Sequence, residues 1–296
     1  MNDQGQRPVI TPQMIALYDD YTHLSPDRRK FMEAMAKVAG SMTAAVAATA
    51  LMAANAKAQP VIADGDSRIK TAAVTWPGAT GEMKGYWAQP AGVSGKLPAV
   101  IVVHENRGLV PHIRDVTRRM SLEGFVALGV DFLSPLGGTP ENEDEARALF
   151  GQLNAADVAA NGAATVAWLA GHEATNGNVG AIGFCWGGGT VNAIAVASAA
   201  LRAAVPYYGA QPPAADVPRI EARLMAHYGG LDERINAGIP AFEAALTEAR
   251  VDHQIFIYEG VNHAFNNDTS EARYHPEAAM LAWQRTVDFL HETLDG

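Results

Sequence analysis

Gly183-Phe184-Cys185-Trp186-Gly187-Gly188-Gly189 follows a short apolar run, Val179–Phe184, and opens a small-residue helical stretch, Gly187–Ala200. A buried strand that turns at once into a helix leaves no room for side chains two residues before and two residues after the turn. Gly183 and Gly187 occupy those two places, which makes the segment a G-x-C-x-G elbow with cysteine at its tip. The elbow would set the sulfur at the start of a helix, where the partial positive charge favours thiolate. Two plainer readings stand beside it. Glycine-rich strand–helix turns also bind phosphates or simply pack tightly, and a lone cysteine is commonly a small buried hydrophobe.

Outward from the elbow the chain alternates strands and helices. Ile69–Trp76 and Glu82–Ala88 read as a pair of opening strands. Pro98–Val103, Phe125–Val130, Leu201–Tyr207, Ala222–Tyr228 and Gln254–Tyr258 read as further short, apolar, buried strands. Amphipathic helical patterns lie between and after them: His112–Leu122, Asp144–Leu153, Ala156–Leu169, Ile239–Ala249 and Pro276–Thr293. This alternation implies an α/β fold with a mainly parallel central sheet flanked by helices on both faces. In such a sheet the ligand site lies at the carboxyl ends of the strands, so the residues just beyond each strand deserve inspection.

Two further strand ends carry chemistry. Gly229-Gly230-Leu231-Asp232 follows the strand ending at Tyr228, and Glu259-Gly260-Val261-Asn262-His263-Ala264-Phe265 follows the strand ending at Tyr258. Taken alone, Asp232 reads as a turn residue or helix N-cap, and His263 is one of nine histidines. Together with Cys185 they stand in the order nucleophile, acid, base, each at a strand end. That conjunction points to nucleophilic catalysis: Cys185 attacks, His263 handles its proton, and Asp232 orients the ring. A fourth strand end, His104-Glu105-Asn106-Arg107-Gly108, places a carboxylate where developing negative charge would be expected, so Glu105 needs a special role or a solvent-facing side chain. His104, His112, Arg107 and Arg114 could line the mouth of the site, though loop residues of these types are more often structural or solvated.

These segments resemble the dienelactone hydrolase (carboxymethylenebutenolidase) family of the α/β-hydrolase fold, over about Ile69 to Leu290. The resemblance rests on H-E-N-R-G at 104–108, G-F-C-W-G-G at 183–188, G-x-x-D at 229–232 and G-x-x-H-x-F at 260–265. It implies a Cys185–His263–Asp232 triad, with Glu105 contacting the resting thiol and joining in its activation. It also implies oxyanion-hole N–H groups from Trp186 and Asn106. Arg107, Phe265 and Arg147 are candidates for substrate contact. The best-studied members hold a substrate carboxylate with two arginines; this chain has Asn267 in place of one, and Arg147 lies near the expected place of the other. The implied activity is cleavage of a small ester or lactone through a thioester acyl-enzyme, needing no metal or organic cofactor. The alternatives are a broad carboxylesterase or thioesterase, and a non-catalytic fold that only binds a ligand.

Composition bounds the rest. Hydrophobic residues make up 48% and charged residues 18% of the chain, enough for a real core in one large domain. The formal net charge of -10 leaves no broad basic footprint for nucleic acid. A single cysteine excludes an intramolecular disulfide and a multi-cysteine zinc site. The expected partner is a small ester or lactone, with the chain a monomer or small homo-oligomer. Residues 1–58 differ from the domain at 59–296. Arg28-Arg29-Lys30 precedes an Ala-rich apolar stretch, Val38 to Ala54, and an A-x-A site, Ala56-Lys57-Ala58. That arrangement resembles a twin-arginine export signal and implies a periplasmic enzyme without a stable membrane span. The competing reading is a cytoplasmic protein with a retained helical arm, in which Ile10–Tyr21 forms a helix with Thr11 as N-cap and Pro12 at the first helical position.

Overall fold

The computed structural model describes residues 8–24, 27–53 and 58–296. Eight strands form one sheet: β1 (Ile69–Pro77), β2 (Glu82–Pro90), β3 (Leu97–Val103), β4 (Val126–Asp131), β5 (Thr175–Phe184), β6 (Leu201–Tyr207), β7 (Arg223–Gly229) and β8 (His253–Tyr258). Their spatial order is β1-β2-β4-β3-β5-β6-β7-β8. β1 and β2 pair antiparallel, β2 pairs antiparallel with β4, and every later neighbour is parallel. The expected α/β-hydrolase architecture is therefore present, with the opening hairpin at one edge.

Burial on both faces explains why the inner strands read as continuous apolar runs rather than alternating ones. Ala99, Ile101 and Val103 of β3 and Val179 and Ala181 of β5 point into one core. That core is closed by helices α6 (Ala155–Ala170), α7 (Trp186–Ala197) and α9 (Ile239–Ala249). Val100 and Val102 of β3 and Ile182 and Phe184 of β5 point into the other. It is closed by α4 (Pro111–Leu122) and α10 (Pro276–Leu294). After β3 the chain winds outward to β4, then returns to place β5 on the other side of β3. The crevice at that reversal is where a doubly wound sheet offers a ligand site, and β3 and β5 end there side by side, with Val103 opposite Gly183.

The N-terminal residues form three helices: α1 (Pro12–Leu24), α2 (Arg28–Ala39) and α3 (Met42–Met52). Thr11 caps α1 through its hydroxyl, which accepts from the Met14 N–H at 3.3 Å. Asp27 caps α2, and Ser41 caps α3. The apolar stretch Val38–Ala54 is broken by Gly40, whose φ of 82° ends α2 in the left-handed conformation that glycine tolerates best. The two helices bend by 106° there, and no single helix among the described residues is long and apolar enough to cross a membrane. Met14, Ile15, Tyr18, Tyr21, Phe31, Met35, Ala45, Ala48 and Met52 bury one another in a small core of their own. Ala56 and Lys57 of the A-x-A site lie outside the described residues. The chain then rejoins the domain along α4, where the Asp115 carboxylate accepts from the Val61 and Ile62 N–H groups at 3.1 and 2.8 Å.

Candidate active site

The elbow is sterically required to be what it is. A Cβ on Gly183 would lie 2.3 Å from the Gly187 carbonyl oxygen. One on Gly187 would lie 2.4 Å from the carbonyl oxygen of His104 and 2.5 Å from that of Val103. Cys185 itself sits at φ 58°, ψ −115°, a strained backbone for a residue with a side chain. The strain lifts the sulfur out of the strand and sets it immediately before α7.

His263 arrives from the loop after β8, with Ala264 at φ 61° turning the chain behind it. Its Nδ1 lies 2.5 Å from Asp232 Oδ2. Asp232 comes from the end of β7, and its other oxygen accepts from the Ile235 N–H at 3.2 Å, capping the short helix α8 (Glu233–Asn236). Burial works against a charged imidazole at His263. The hydrogen bonds to Asp232 and Cys185, with the negative charge of Cys185 and Asp19, outweigh it and lift the pKa to about 10. At Asp232 burial pulls upward too, yet the His263 hydrogen bond and charge hold the carboxyl below its usual range. Cys185, Asp232 and His263 are thus brought together around one imidazole.

Glu105 and Asn106 follow β3. The Glu105 carboxylate shares a tight recess with Cys185, His263, Arg107 and Arg273. It accepts from Asn267 Nδ2 at 2.8 Å. Asn267, which stands in place of one of the two arginines of the best-studied family members, therefore ties down a carboxylate. Trp186 is the first residue of α7, and Asn106 lies in the loop facing it, so both border the cleft above the sulfur. His104 is fully buried and stacks on the Trp186 indole, with ring centroids 5.4 Å apart. Its Nε2 accepts from the Phe132 N–H at 3.2 Å, so Nδ1 carries the proton and donates to the Glu105 carbonyl at 2.7 Å. Burial pushes its pKa down and keeps it neutral. It props the loop after β3 rather than lining the mouth. His112 pairs with Asp268 at 3.3 Å, and Arg114 is exposed beside the Tyr86 ring.

Above the sulfur opens a cleft of about 1150 Å3. One wall consists of the small side chains of α6 and α7, including Ala156, Ala159, Ala163, Ala193 and Ala197. Phe150 of α5 (Glu143–Phe150), Leu153 and Val158 add apolar surface, and Pro212 and Pro213 close the far side. Arg147 does border this cleft, where its guanidinium donates to the Tyr21 hydroxyl at 2.9 Å and lies over the Tyr21 ring. Arg107 is buried and donates to the Tyr18 hydroxyl at 2.7 Å. Phe265 corrects the sequence reading. It is fully buried among Tyr207, Tyr208 and Tyr258, beneath the site, because the turn at Ala264 sends it into the core instead of toward substrate.

Four residues with a place at the site escaped the sequence reading: Thr22, Asp19, Tyr208 and Arg273. Tyr208, at φ 40°, packs its ring 4.9 Å from that of His263. The linear signal for it was available, since it follows strand β6 directly. Arg273 pairs with Asp19 at 3.1 Å, a contact across the chain that no local pattern announces.

A strand–elbow–helix with a cysteine at its tip, a histidine and an aspartate on later strand ends, and a mostly parallel sheet define an α/β-hydrolase. The sequence model of the dienelactone hydrolase family matches residues 83–294. A "Putative carboxymethylenebutenolidase" of Synechocystis sp. is 35% identical over 244 residues, covering 76% of this chain and 98% of that protein. A "Probable 2-oxo-3-(5-oxofuran-2-ylidene)propanoate lactonase" of Bradyrhizobium sp. is 32% identical over 245 residues, covering 77% and 97%. The crystal structure of a "Putative Dienelactone Hydrolase" from Klebsiella pneumoniae superposes with a TM-score of 0.67 at 29% identity, covering 74% of this chain and 97% of that one. This chain belongs to the dienelactone hydrolase family and is a carboxylic ester hydrolase.

Proposed function

We propose that the chain hydrolyses a small ester or lactone through Cys185, His263 and Asp232. The observation that carries the reading is His263, buried between the Asp232 carboxylate at 2.5 Å and the Cys185 side chain, at the floor of an open cleft. Asp232 holds the ring in one orientation and favours imidazolium, and imidazolium in turn favours thiolate on Cys185. The thiolate attacks the substrate carbonyl carbon, and the electron pair of the C=O bond moves onto oxygen. Backbone N–H groups of Trp186 and Asn106 receive that oxyanion, an effect of roughly 3–4 kcal/mol per donor in a known hydrolase. Collapse breaks the bond to the alcohol, which leaves with the proton from His263. In a lactone the alcohol remains attached to the acyl group. Water then gives its proton to His263, adds to the thioester, and expels the thiolate with release of the acid.

A second reading concerns breadth. The cleft, at about 1150 Å3, exceeds the usual range of roughly 300–1,000 Å3 for ligand sites, and its walls are mainly apolar. This favours a carboxylesterase that accepts acyl or alcohol groups larger than those of a butenolide. Hydrolysis of p-nitrophenyl acetate, butyrate and octanoate, set against small lactones, separates the two.

The central test is Cys185→Ala. Hydrolysis should vanish while the thermal transition stays near wild type, because one small buried side chain is lost. Cys185→Ser should be weak, since a hydroxyl is far harder to ionise than the thiol this site accommodates. Iodoacetamide should abolish activity in step with alkylation. Wild-type turnover in Cys185→Ala would overturn the triad, and a wild-type chain without any esterase activity would leave the binding-protein reading.

A further inference from the structure

Helix α1 lies across the active site, where Tyr18, Asp19 and Thr22 each meet one of the surrounding loops. The Thr22 carbonyl accepts from the Asn106 side-chain amide at 2.6 Å. The Tyr18 hydroxyl accepts from Arg107 at 2.7 Å. The Asp19 carboxylate pairs with Arg273 at 3.1 Å, with both side chains largely buried. Arg273 and Thr22 also line the recess that holds Cys185, Glu105 and His263. Helix α3 grips the same region from behind. The Met52 carbonyl accepts from the Ser270 hydroxyl at 2.8 Å, and the Leu51 carbonyl accepts from the Ala272 N–H at 3.2 Å.

We propose that the N-terminal arm is a fixed wall of the active site, in which the Thr22 carbonyl positions the oxyanion-hole loop through Asn106 and Asp19 positions Arg273 in the recess beside His263. The family match begins at residue 83 and so says nothing about this wall. A detachable address would have little reason to satisfy buried groups of the catalytic loops. Removing the arm would uncover Arg107 and Arg273, buried cations whose charge-assisted contacts to α1 are costly to lose. It would also release the loop whose N–H must meet a developing oxyanion, and such donors work only when held in place beforehand. The enzyme therefore works with its arm in place, and processing after Ala58 inactivates it.

The inference rests on the ester-hydrolase reading for its kinetic test but has a readout independent of it. Asn106→Ala keeps the backbone N–H and cuts the tie to Thr22. In the full chain it should lower kcat about tenfold or more with KM little changed and the melting temperature near wild type. Should Asn106→Ala fail to fold, Asn106→Leu, which keeps the bulk and loses only the amide donor, takes its place with the same expected split. The independent readout is the proton resonance of His263 Nδ1 followed against pH. The groups around that ring are Asp232, Cys185, Asp19, Glu105, Tyr208 and Arg273. Asp19→Asn should move its titration down, and Asp19→Glu should restore it. Wild-type kcat in the folded Asn106→Ala variant, or an unmoved His263 titration in Asp19→Asn, overturns the proposal. Activity that survives Cys185→Ala would fault the hydrolase mechanism instead, and the His263 titration would still report on the arm.

Discussion

Asp232 divides its carboxylate between two partners, giving Oδ2 to His263 at 2.5 Å and Oδ1 to the Ile235 N–H at 3.2 Å. The cap fixes the carboxylate before any substrate arrives, so the oxygen facing His263 has little freedom to turn away. The N-cap reading of this residue holds through Oδ1, and Oδ2 is left to face His263.

The pair makes stability depend on pH with a definite sign. His263 is raised from the usual 6.5 to about 10, so its contribution is whole below about pH 6.5 and is lost as pH climbs towards 10. Asp232 is lowered, so its contribution is present above the ordinary carboxylate range and disappears on acidification through its folded pKa. The difference in urea midpoint between wild type and Asp232→Asn should therefore be widest near about pH 5–6 and should narrow towards both extremes. Hydrolysis by Asp232→Asn should also fall, by roughly 10^4-fold if the buried aspartate acts as it does in serine hydrolases. A pH-independent difference in midpoint would mean that the carboxylate serves only as the cap of α8.

Glu105 puts negative charge into the recess that holds the sulfur, which disfavours a second negative charge there. Glu105→Gln should move the pH midpoint of iodoacetamide labelling down by about one unit and make the enzyme more sensitive to peroxide, which attacks thiolate. Asn267→Ala, which frees the carboxylate from its 2.8 Å tether, should alter the same profile without removing the charge. Superimposable labelling curves for wild type and Glu105→Gln would show that the carboxylate does not act on the sulfur.

Gly187→Ala tests the elbow itself. The added methyl would meet two carbonyl oxygens at 2.4 and 2.5 Å, both backbone and unable to step aside. A loss of roughly 1–3 kcal/mol or more is expected, read as a lower denaturant midpoint. Activity should fall further than stability, because the two backbone segments forced apart carry Cys185 on one side and the Glu105–Asn106 loop on the other.

The strand ends were legible because steric necessity writes them locally. Only glycine fits at 183 and 187, so the turn, and with it the place of Cys185, is visible in one line of sequence. The break at Gly40-Ser41 was equally open to view, a helix-ending glycine followed by a helix-capping serine. Phe265, a candidate for substrate contact in the sequence, lies in the core instead, with the left-handed Ala264 turning the chain between it and His263. The contacts of Asp19 with Arg273, and of Asn267 with Glu105, join segments far apart in the chain. They depend on where the fold carries each loop, and no periodicity or local spacing encodes that.

The methyl-lined wall of the cleft bears on how such an enzyme could diversify. Ala156, Ala159, Ala163, Ala193 and Ala197 sit on two helices whose other faces build the core, while the reacting groups come from the loops at the strand ends. Shape selection and bond cleavage therefore reside in different parts of the polypeptide. Lengthening one of these side chains would narrow the range of acceptable substrates and leave the reacting atoms where they are. A lineage could thus move from a generalist to a specialist in single steps, and back again by restoring an alanine.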